Sequence, residues 1–437
     1  MGNHDVNPSQ VPHSPSALSS MIRSLRHRNF RLFFVGQGIS LVGTWMQSIA
    51  LPWLVYRLTG SVVLLGVVGF TGQILTFVLA PLAGVLADRW NRRRMVIATQ
   101  VLALAQALAL AALTLGGVIE VWQIILLSLI GGLERGFEIP VRQSFVVEML
   151  EDRADLPNAI ALNSFLVNGA RLVGPSLAGG IIAAAGEGLC FLLNGLSYIA
   201  VIAALVAMRL VPREAPTAKT PLLKGLAEGW RYMVRSPPIR SVLLLVGVIS
   251  LMGIPYTTLM PVFARDILHG GASTMGLLVG ATGVGALAGA MVLASRRGIA
   301  NFARLIAFAA AAFGAGLIAF SLAQQFWLCL VILAWIGGAM IVQLAMSNTM
   351  LQTVVEEDKR GRVMSFYTMA FMGMGPFGSM LAGGLAKWLG APVTVALGGG
   401  ACVLAAIVFA AFLPGPGPAS GPRADRVPLP DAAPPVA

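Results

Sequence analysis

Charged residues are scarce in this sequence. Asp, Glu, Lys and Arg make up 11% of its 437 residues and hydrophobic types 57%, whereas a soluble domain has about a quarter of its residues charged. This balance excludes an ordinary soluble globular chain. Cysteine is rarer still: Cys190, Cys329 and Cys402 lie in apolar runs without metal-ligand spacing or a pairing pattern. We therefore expect buried thiols and no disulfide framework.

Groups that carry out catalysis are also missing from the sequence. The four histidines lie near the N-terminus or in predicted loops. They form neither a catalytic triad with a nucleophile and an acid nor a cluster of metal ligands. A phosphate-binding loop ending in Gly-Lys-Ser or Gly-Lys-Thr is absent. We therefore expect no enzyme activity, no direct ATP hydrolysis, no metal and no cofactor.

The hydrophobic residues are concentrated in long blocks with almost no charge. Blocks of about 20 apolar residues predict transmembrane helices, and these blocks lack the alternating pattern of a membrane barrel. The sequence therefore predicts an all-α membrane protein with twelve transmembrane helices. The predicted spans are 30–56, 62–87, 95–116, 120–144, 158–185, 188–208, 241–263, 274–295, 302–322, 324–351, 363–388 and 392–413.

The net charge of +12 reflects how the basic residues are distributed along the chain. If the N-terminus is cytoplasmic, 25 of the 30 lysines and arginines lie on the cytoplasmic side of these spans and three on the other. Such a bias predicts that both termini are cytoplasmic, in a plasma membrane. No basic surface interleaved with aromatic residues is present, so we expect no nucleic-acid partner.

The spans divide into two sets of six. We expect a disordered cytoplasmic N-terminus at 1–22, a six-helix half at 23–210, a cytoplasmic loop at 211–240, a second half at 241–413 and a disordered tail at 414–437. Apolar residues recur at helical spacing in the loop, which indicates an amphipathic helix at the membrane surface. An ordinary soluble linker helix is the alternative. These residues are Leu222, Leu223, Leu226, Trp230 and Met233.

The two halves resemble each other in their fifth spans. One carries a Gly-Pro pair followed by Gly-Gly at Gly174, Pro175, Gly179 and Gly180, and the other repeats the pattern in 375–384. Such small residues allow helices to approach closely, and repeated halves are typical of membrane transporters. Ordinary helix packing explains the pattern equally well.

The link between the second and third spans carries the most specific motif of the chain. Gly84, Asp88, Arg89, Arg92 and Arg93 match the signature of the major facilitator superfamily, with Asn91 in place of its second glycine. Asn tolerates the left-handed conformation that Gly adopts. The chain is therefore similar to this superfamily. The resemblance implies two six-helix halves and a conformational gate at these residues, which clamps the cytoplasmic ends of the halves together.

The resemblance narrows to one branch, the transmembrane secretion effectors, over about residues 23–413. The segments 37–47, 53–61, 138–143, 158–163 and 360–364 are similar to that branch. The Gly-Pro pattern of the fifth span resembles an antiporter motif, although three residues rather than two separate its pairs. The branch implies proton-coupled export of siderophores or macrolide-like drugs.

Charges within the predicted spans mark a candidate proton or substrate site. Glu134, Arg135 and Glu138 lie in the fourth span, with Arg142 nearer its end, and Arg171 lies in the fifth. Glu134, Glu138 and Arg142 are four residues apart and share one helix face. Charges in a membrane are costly and by default mark function. Either carboxylate has Arg135 or Arg171 as a candidate partner, in a static ion pair or in a proton-linked site.

We interpret the chain as a secondary transporter that exports a small amphipathic molecule, driven by the proton gradient. Gln37 and Gln47 in the first span are candidate cavity-lining residues. The expected partners are the substrate and the lipid bilayer, and we expect a monomer. The alternatives are an uptake permease of the same fold, a non-transporting membrane receptor and a lipid flippase.

Overall fold

The fold is built from long helices joined by short links. A computed structural model describes residues 23–87, 91–209, 230–295 and 302–412, and within these ranges it contains helices and no strand. The first half comprises α1 (Arg28–Thr59), α2 (Val62–Ala87), α3 (Arg92–Leu115), α4 (Val121–Val146), α5 (Leu156–Ala185) and α6 (Glu187–Ala207). The second half comprises α7 (Pro237–Ile267), α8 (Ala272–Ser295), α9 (Phe302–Leu322), α10 (Phe326–Val354), α11a (Glu357–Met372), α11b (Met374–Leu389) and α12 (Ala391–Ala411).

Eleven helices of the described chain, with α11a and α11b counted together, are long and apolar enough to cross a membrane. The predicted all-α membrane fold is therefore confirmed. Helix α4 is the exception, because every 18-residue stretch of it includes Glu134, Arg135 and Glu138. Lipid spans tolerate few such charges unless they face a cavity or each other. The total of twelve spans therefore remains a prediction.

Helices α7 and α11 are irregular. Helix α7 begins at Pro237, a few residues before the predicted start, since proline is favoured in the first turn of a helix. It then contains two wide π turns on either side of a tight 3₁₀ segment at Ile254–Leu259. Helix α11 is interrupted at Gly373, between α11a and α11b. Such irregular turns inside helices often mark functional sites.

Two of the expected cytoplasmic features lie largely outside the described residues. These are the termini, at 1–22 and 413–437, and most of the amphipathic helix, at 210–229. The end of that helix is described: residues 230–235 are helical, and the Trp230 ring packs 6.0 Å from the Phe366 ring. Met233 is buried, as its place on the apolar face predicts. The three cysteines are buried and free, as expected.

The helices define two faces of the molecule. We call the face where α1 begins and α12 ends the terminal face, and the other the opposite face. The halves meet along two helix pairs, α5 with α8 and α2 with α11b. Helix α11b is the part of the eleventh helix next to the opposite face. The halves therefore pack together mainly on that side.

Glycines bring the backbones of the two halves into direct contact. A Cβ atom at Gly276 of α8 would lie 2.5 Å from the Pro175 carbonyl oxygen and 3.0 Å from the Cα of Gly179, both on α5. Likewise, a Cβ at Gly383 of α11b would lie 2.7 Å from the Val62 oxygen and 2.9 Å from the Cα of Gly66. Real Cβ atoms do not approach so closely, so only glycine fits at these crossings.

The two crossings are related by the internal repeat. Gly276 and Gly66 stand at the same distance from the start of their helices, and Gly179 and Gly383 at the same distance from the end of theirs. Helices α5 and α11b are each followed by a glycine of positive φ: 80° at Gly186 and 81° at Gly390. These matching positions support two structurally equivalent halves.

The halves separate toward the terminal face. In the parts of α5 and α8 that lie nearest that face, Phe165 is 67% and Met291 is 66% exposed. The close contacts between these two helices involve residues 171–179 and 272–283, which lie farther toward the opposite face. The described arrangement is therefore closed on the opposite face and parted on the terminal face.

Candidate functional site

The charged face of α4 lies in the middle of the first half. Glu134 and Glu138 are 8% and 7% exposed, and both belong to the face predicted from their spacing. The Arg142 Nε donates to Glu138 Oε1 over 2.5 Å, one helical turn along α4. The same guanidinium reaches Asn163 of α5, with Nη1 at 3.5 Å from Oδ1. Glu138 thus pairs with Arg142.

Glu134 differs from Glu138 in its surroundings. Its carboxylate forms no ion pair or hydrogen bond with the described residues, although Glu138, Arg135 and Arg142 lie within electrostatic reach. Tyr198 of α6 is also near it. A buried carboxylate without a partner is costly in a low-dielectric interior. Glu134 is therefore the acidic group of α4 whose presence packing alone does not explain.

Arg135 and Arg171 do not pair with these carboxylates, so the expected pairing is wrong for the described structure. The Arg135 Nη2 donates to the Gly72 carbonyl oxygen of α2 over 2.9 Å. The Arg171 guanidinium lies over the Trp45 ring of α1, 5.6 Å from its centroid. Arg135 thus links α4 to α2, and Arg171 packs against α1.

A chain of side-chain amides connects four helices of the first half. Asn194 Nδ2 donates to Gln47 Oε1 over 2.8 Å, and Gln47 Nε2 donates to Gln106 Oε1 over 3.1 Å. Gln106 Nε2 then donates to the Leu127 carbonyl oxygen over 3.1 Å. Both ends of the Gln47 amide are therefore engaged, so this residue holds α6, α1, α3 and α4 together.

Gln37 is buried and does not face an open cavity. It is 4% exposed, and its Oε1 is buried without a hydrogen-bond partner. The prediction that Gln37 lines a cavity is wrong, because α1 turns this side chain into the packed first half. Gln47 is partly exposed as well as part of the amide chain, so its cavity contact stays a prediction.

The gate motif braces helix ends of the first half. Arg92 Nη1 lies 2.9 Å from Glu148 Oε1, in the turn that follows α4. Arg93 donates to the carbonyl oxygens of Leu205 and Val206, over 2.9 and 2.7 Å. A cation at the C-terminal end of a helix is favourable, since unpaired carbonyls carry partial negative charge there. These contacts lie within the first half, so they are not the expected clamp between halves.

The rest of the gate motif is only partly visible. Asp88 and Arg89 lie outside the described residues, and Gly84 lies in the last turn of α2. Asn91 is the N-cap of α3: its side chain accepts a hydrogen bond from the Arg94 amide over 3.1 Å. Asn91 thus has an extended conformation in place of the left-handed turn that we expected.

An ion cluster on the terminal face was missed by the sequence argument. Asp155, just before α5, is fully buried and pairs with His27, Arg23 and Arg26. His27 Nε2 lies 2.8 Å from Asp155 Oδ2, and Arg26 Nη2 lies 2.8 Å from the same oxygen. The hydrogen bond from His27, together with the two arginines, lowers the pKa of the Asp155 carboxyl below its ordinary value of 3.8.

A second missed cluster joins the halves at the opposite face. The Tyr56 hydroxyl of α1 donates to the Asp266 carboxylate of α7. Arg265 Nη1 donates to the Tyr56 carbonyl oxygen over 3.4 Å, and its guanidinium lies 5.8 Å from the centre of the Tyr56 ring. Polar residues near span ends were visible in the sequence, but their pairing depends on how the halves meet.

Three of the four residues of the predicted packing motif lie at close helix contacts. Gly174 faces α1, where a Cβ would lie 2.5 Å from the Trp45 Cβ. Pro175 and Gly179 face Gly276 of the second half. A Cβ at Gly180 would meet nothing within 4 Å, so the prediction that Gly180 packs against a helix is wrong.

Within the described ranges, no group of three or more His, Cys, Asp or Glu residues is placed to hold a metal ion. The polar groups described above around α4 and the amide chain are amides, carboxylates and guanidinium groups, together with the Tyr198 hydroxyl. Such groups bind protons and polar or charged organic molecules.

Relatives align with this chain over most of their own length. The chain is 24% identical over 388 residues to the staphyloferrin A transporter of Staphylococcus aureus, covering 87% of this chain and 95% of the relative. It is 25% identical over 361 residues to the multidrug efflux pump Tap of Mycolicibacterium fortuitum, covering 80% and 88%. It is 26% identical over 363 residues to the enterobactin exporter of Shigella boydii, covering 82% and 85%.

Solved structures share the fold. A D-xylose–proton symporter superposes with a TM-score of 0.69 at 15% identity, covering 88% of this chain and 98% of the other. A nucleoside transporter superposes with a TM-score of 0.70 at 13% identity, covering 89% and 100%. The sequence pattern of the transmembrane secretion effectors, a branch of the major facilitator superfamily, matches residues 19–419, so this chain belongs to that family of multi-pass membrane transporters.

Proposed function

We propose that the protein exports a small amphipathic molecule across the bacterial inner membrane and that proton entry drives the export. Its relatives include a siderophore exporter and a multidrug efflux pump, which supports a siderophore- or drug-like substrate. Most basic residues of the described ranges lie at the terminal face, which supports placing that face in the cytoplasm. No cofactor is required, and a monomer is sufficient.

The observation that carries this proposal is Glu134, a carboxylate without an ion pair beside the paired Glu138 and Arg142. It lies near the middle of α4, where transporter sites are usually found. Because Glu134 has no ion pair to break, it can gain or lose a proton without disrupting one. Glu138 is the second candidate, with Arg142 as the partner released when Glu138 is protonated.

The described arrangement supports export by alternating access. With the terminal face in the cytoplasm, the parted side accepts substrate from inside, and the glycine crossings seal the outside. Release then requires the crossings to open and the terminal face to close. The proposed gate for that closure consists of Asp88, Arg89, Arg92 and Arg93. Gly84 would permit the end of α2 to approach the second half.

The test is the accumulation of siderophores and macrolides in efflux-deficient cells that express the protein, with and without a protonophore. We expect lower accumulation with the wild type, abolished by the protonophore and by Glu134→Gln combined with Glu138→Gln. Glu120→Gln is the matched control, since this exposed carboxylate precedes the same helix on the opposite face. Higher accumulation would indicate uptake. Full export by the double variant would exclude these carboxylates as the proton site.

A further inference from the structure

Arg171 is a positive charge in the middle of a membrane-spanning helix. It stands about 22 Å from the start of α5, in a helix roughly 45 Å long, at about 1.5 Å per residue. Its guanidinium forms no ion pair or hydrogen bond with the described residues; its contact there is with the face of the Trp45 ring. Because none of its N–H donors has a hydrogen-bond acceptor among the described residues, these donors remain available to a ligand.

The position of Arg171 over Trp45 is fixed by the backbone. Gly174, one helical turn further along α5, lets this helix approach α1 so closely that a Cβ there would meet the Trp45 Cβ at 2.5 Å. Across the halves, the Cβ that Gly283 lacks would lie 3.4 Å from the Arg171 carbonyl oxygen. Arg171 therefore lies where α1, α5 and α8 converge.

The second half contributes a hydroxyl to the same region. Tyr256, in the 3₁₀ segment of α7, is 3% exposed, and its ring packs edge-on against Phe313 at 6.5 Å. Its hydroxyl is buried close to the Thr282 side chain, the neighbour of Gly283 on α8, and lies within electrostatic reach of Arg171. A buried hydroxyl normally has a partner. The donors of Arg171 and Tyr256 thus come from different halves, and Thr282 is the contact that a ligand would share or replace at Tyr256.

We propose that Arg171, Trp45 and Tyr256 form a binding site for an organic carboxylate, which is the anionic group of the transported molecule. This assignment rests on the proposed function and adds the charge of the substrate to it. The two oxygens of a carboxylate match the paired donors on one edge of a guanidinium. The Trp45 ring holds the guanidinium in place, and Tyr256 supplies a further donor.

The site also connects binding to the arrangement of the halves. Arg171 and Trp45 belong to the first half and Tyr256 to the second, so an anion that contacts all three favours the state in which these helices are together. A ligand shifts a conformational equilibrium by as much as its affinity differs between the two states. When the halves separate at this level, the Tyr256 contact is lost and the anion is released.

The experiment compares two probes of the same shape, 2-naphthoate and the neutral 2-naphthamide, for binding to the full-length protein in nanodiscs. We expect the wild type to bind the carboxylate more tightly, and Arg171→Gln to weaken that binding by roughly tenfold or more while leaving the amide unchanged. Tyr256→Phe should weaken naphthoate binding severalfold. Trp45→Leu should weaken it as well, and Trp45→Phe less so, because Trp stacks best with a cation.

Lys387→Gln provides the matched control. Lys387 also lies 5.6 Å from an indole centre, that of Trp388, but at the opposite-face end of α11b. Its loss should leave the preference for naphthoate unchanged. Equal binding of the two probes by the wild type, or an undiminished preference in Arg171→Gln, would overturn the assignment. Because binding is measured without a gradient, this result is independent of whether cells expressing the protein show proton-driven export.

Discussion

Gly276 and Gly179 are so close that the two halves of the protein touch backbone to backbone. A methyl group on Gly276 would lie 3.0 Å from the Gly179 Cα and 2.5 Å from the neighbouring Pro175 oxygen. Gly383 and Gly66 form the equivalent contact on the other side of the molecule. This pair of contacts defines which face is closed.

Gly276→Ala should open the opposite face. Overpacking of this kind costs about 1–3 kcal/mol, and here the cost falls on the closed arrangement alone. Ser379→Cys reports the change, because Ser379 is buried between the halves beside Gly69 and the three native cysteines are buried. We expect faster modification of that cysteine by a thiol reagent. Gly180→Ala, with open space around it, should have no effect; equal rates in both variants would contradict the prediction.

Tyr56→Phe should loosen the same face. The substitution removes the hydroxyl that donates to Asp266 and retains the ring beneath Arg265. Loss of a hydrogen bond to a charged group costs about 1.5–3 kcal/mol, and somewhat less where water replaces it. Ser379→Cys labelling should therefore accelerate severalfold. Trp122→Phe is the control, because the Trp122 indole donates to Glu120 within the first half; a similar acceleration there would rule out a specific role for Tyr56.

A double substitution should separate the structural role of the Glu138–Arg142 pair from a role in proton transport. Glu138→Gln leaves the Arg142 charge without its partner, and Arg142→Gln does the reverse, so each should lower the free energy of unfolding by about 3 kcal/mol. The double variant should recover thermal stability, since both charges are removed together. If Glu138 also carries protons, transport will not recover. A double variant with both stability and proton-driven transport restored would reduce the pair to a structural brace.

Asp88→Asn should reduce transport while leaving membrane insertion and thermal stability intact. Its expected role as a gate comes from the superfamily motif, since Asp88 lies outside the described residues. Glu148→Gln is the informative comparison: it removes the partner of Arg92 within the first half and should mainly lower thermal stability. Unchanged export in Asp88→Asn would remove the gate hypothesis.

The Asp155 cluster should make stability depend on pH in the acid range. The pKa of Asp155 is lower in the folded protein than its ordinary value of 3.8, so the unfolded chain binds the proton more readily. The stabilisation is therefore fully present above the unfolded pKa and is lost as the pH falls through the folded one. Thermal unfolding in detergent should show this loss for the wild type and a weaker dependence for Asp155→Asn. Identical pH profiles would contradict the pairing.

The sequence was sufficient for the long helices and for which charged residues share a helix face. Apolar runs located the long helices, and the spacing of Glu134, Glu138 and Arg142 placed them on one face because an α-helix repeats every 3.6 residues. The Glu138 and Arg142 contact lies within one turn of a single helix. It was therefore within reach of sequence reasoning, although we expected Arg135 or Arg171 as the partner.

Contacts between distant segments were beyond the same reasoning. Arg171 faces Trp45 because Gly174 allows α5 to approach α1, and Tyr56 meets Asp266 because the halves close on one side. Neither distance follows from a single sequence. The glycines of α5 were recognised as packing residues, but their counterpart Gly276 is one of many glycines in α8 and carries no distinguishing pattern.

The glycine crossings have a consequence for the environment in which the opposite face can stay sealed. At 0.1 M salt, dissolved ions largely screen the attraction between exposed charges more than about 10 Å apart, and at higher salt that distance shrinks, but ions do not weaken van der Waals contact between backbones. Tyr56, Asp266 and Arg265 depend on charge, whereas Gly66, Gly179, Gly276 and Gly383 do not. The glycine contacts that close the opposite face are therefore insensitive to ionic strength. They should hold this face closed equally well at high and at low salt concentration.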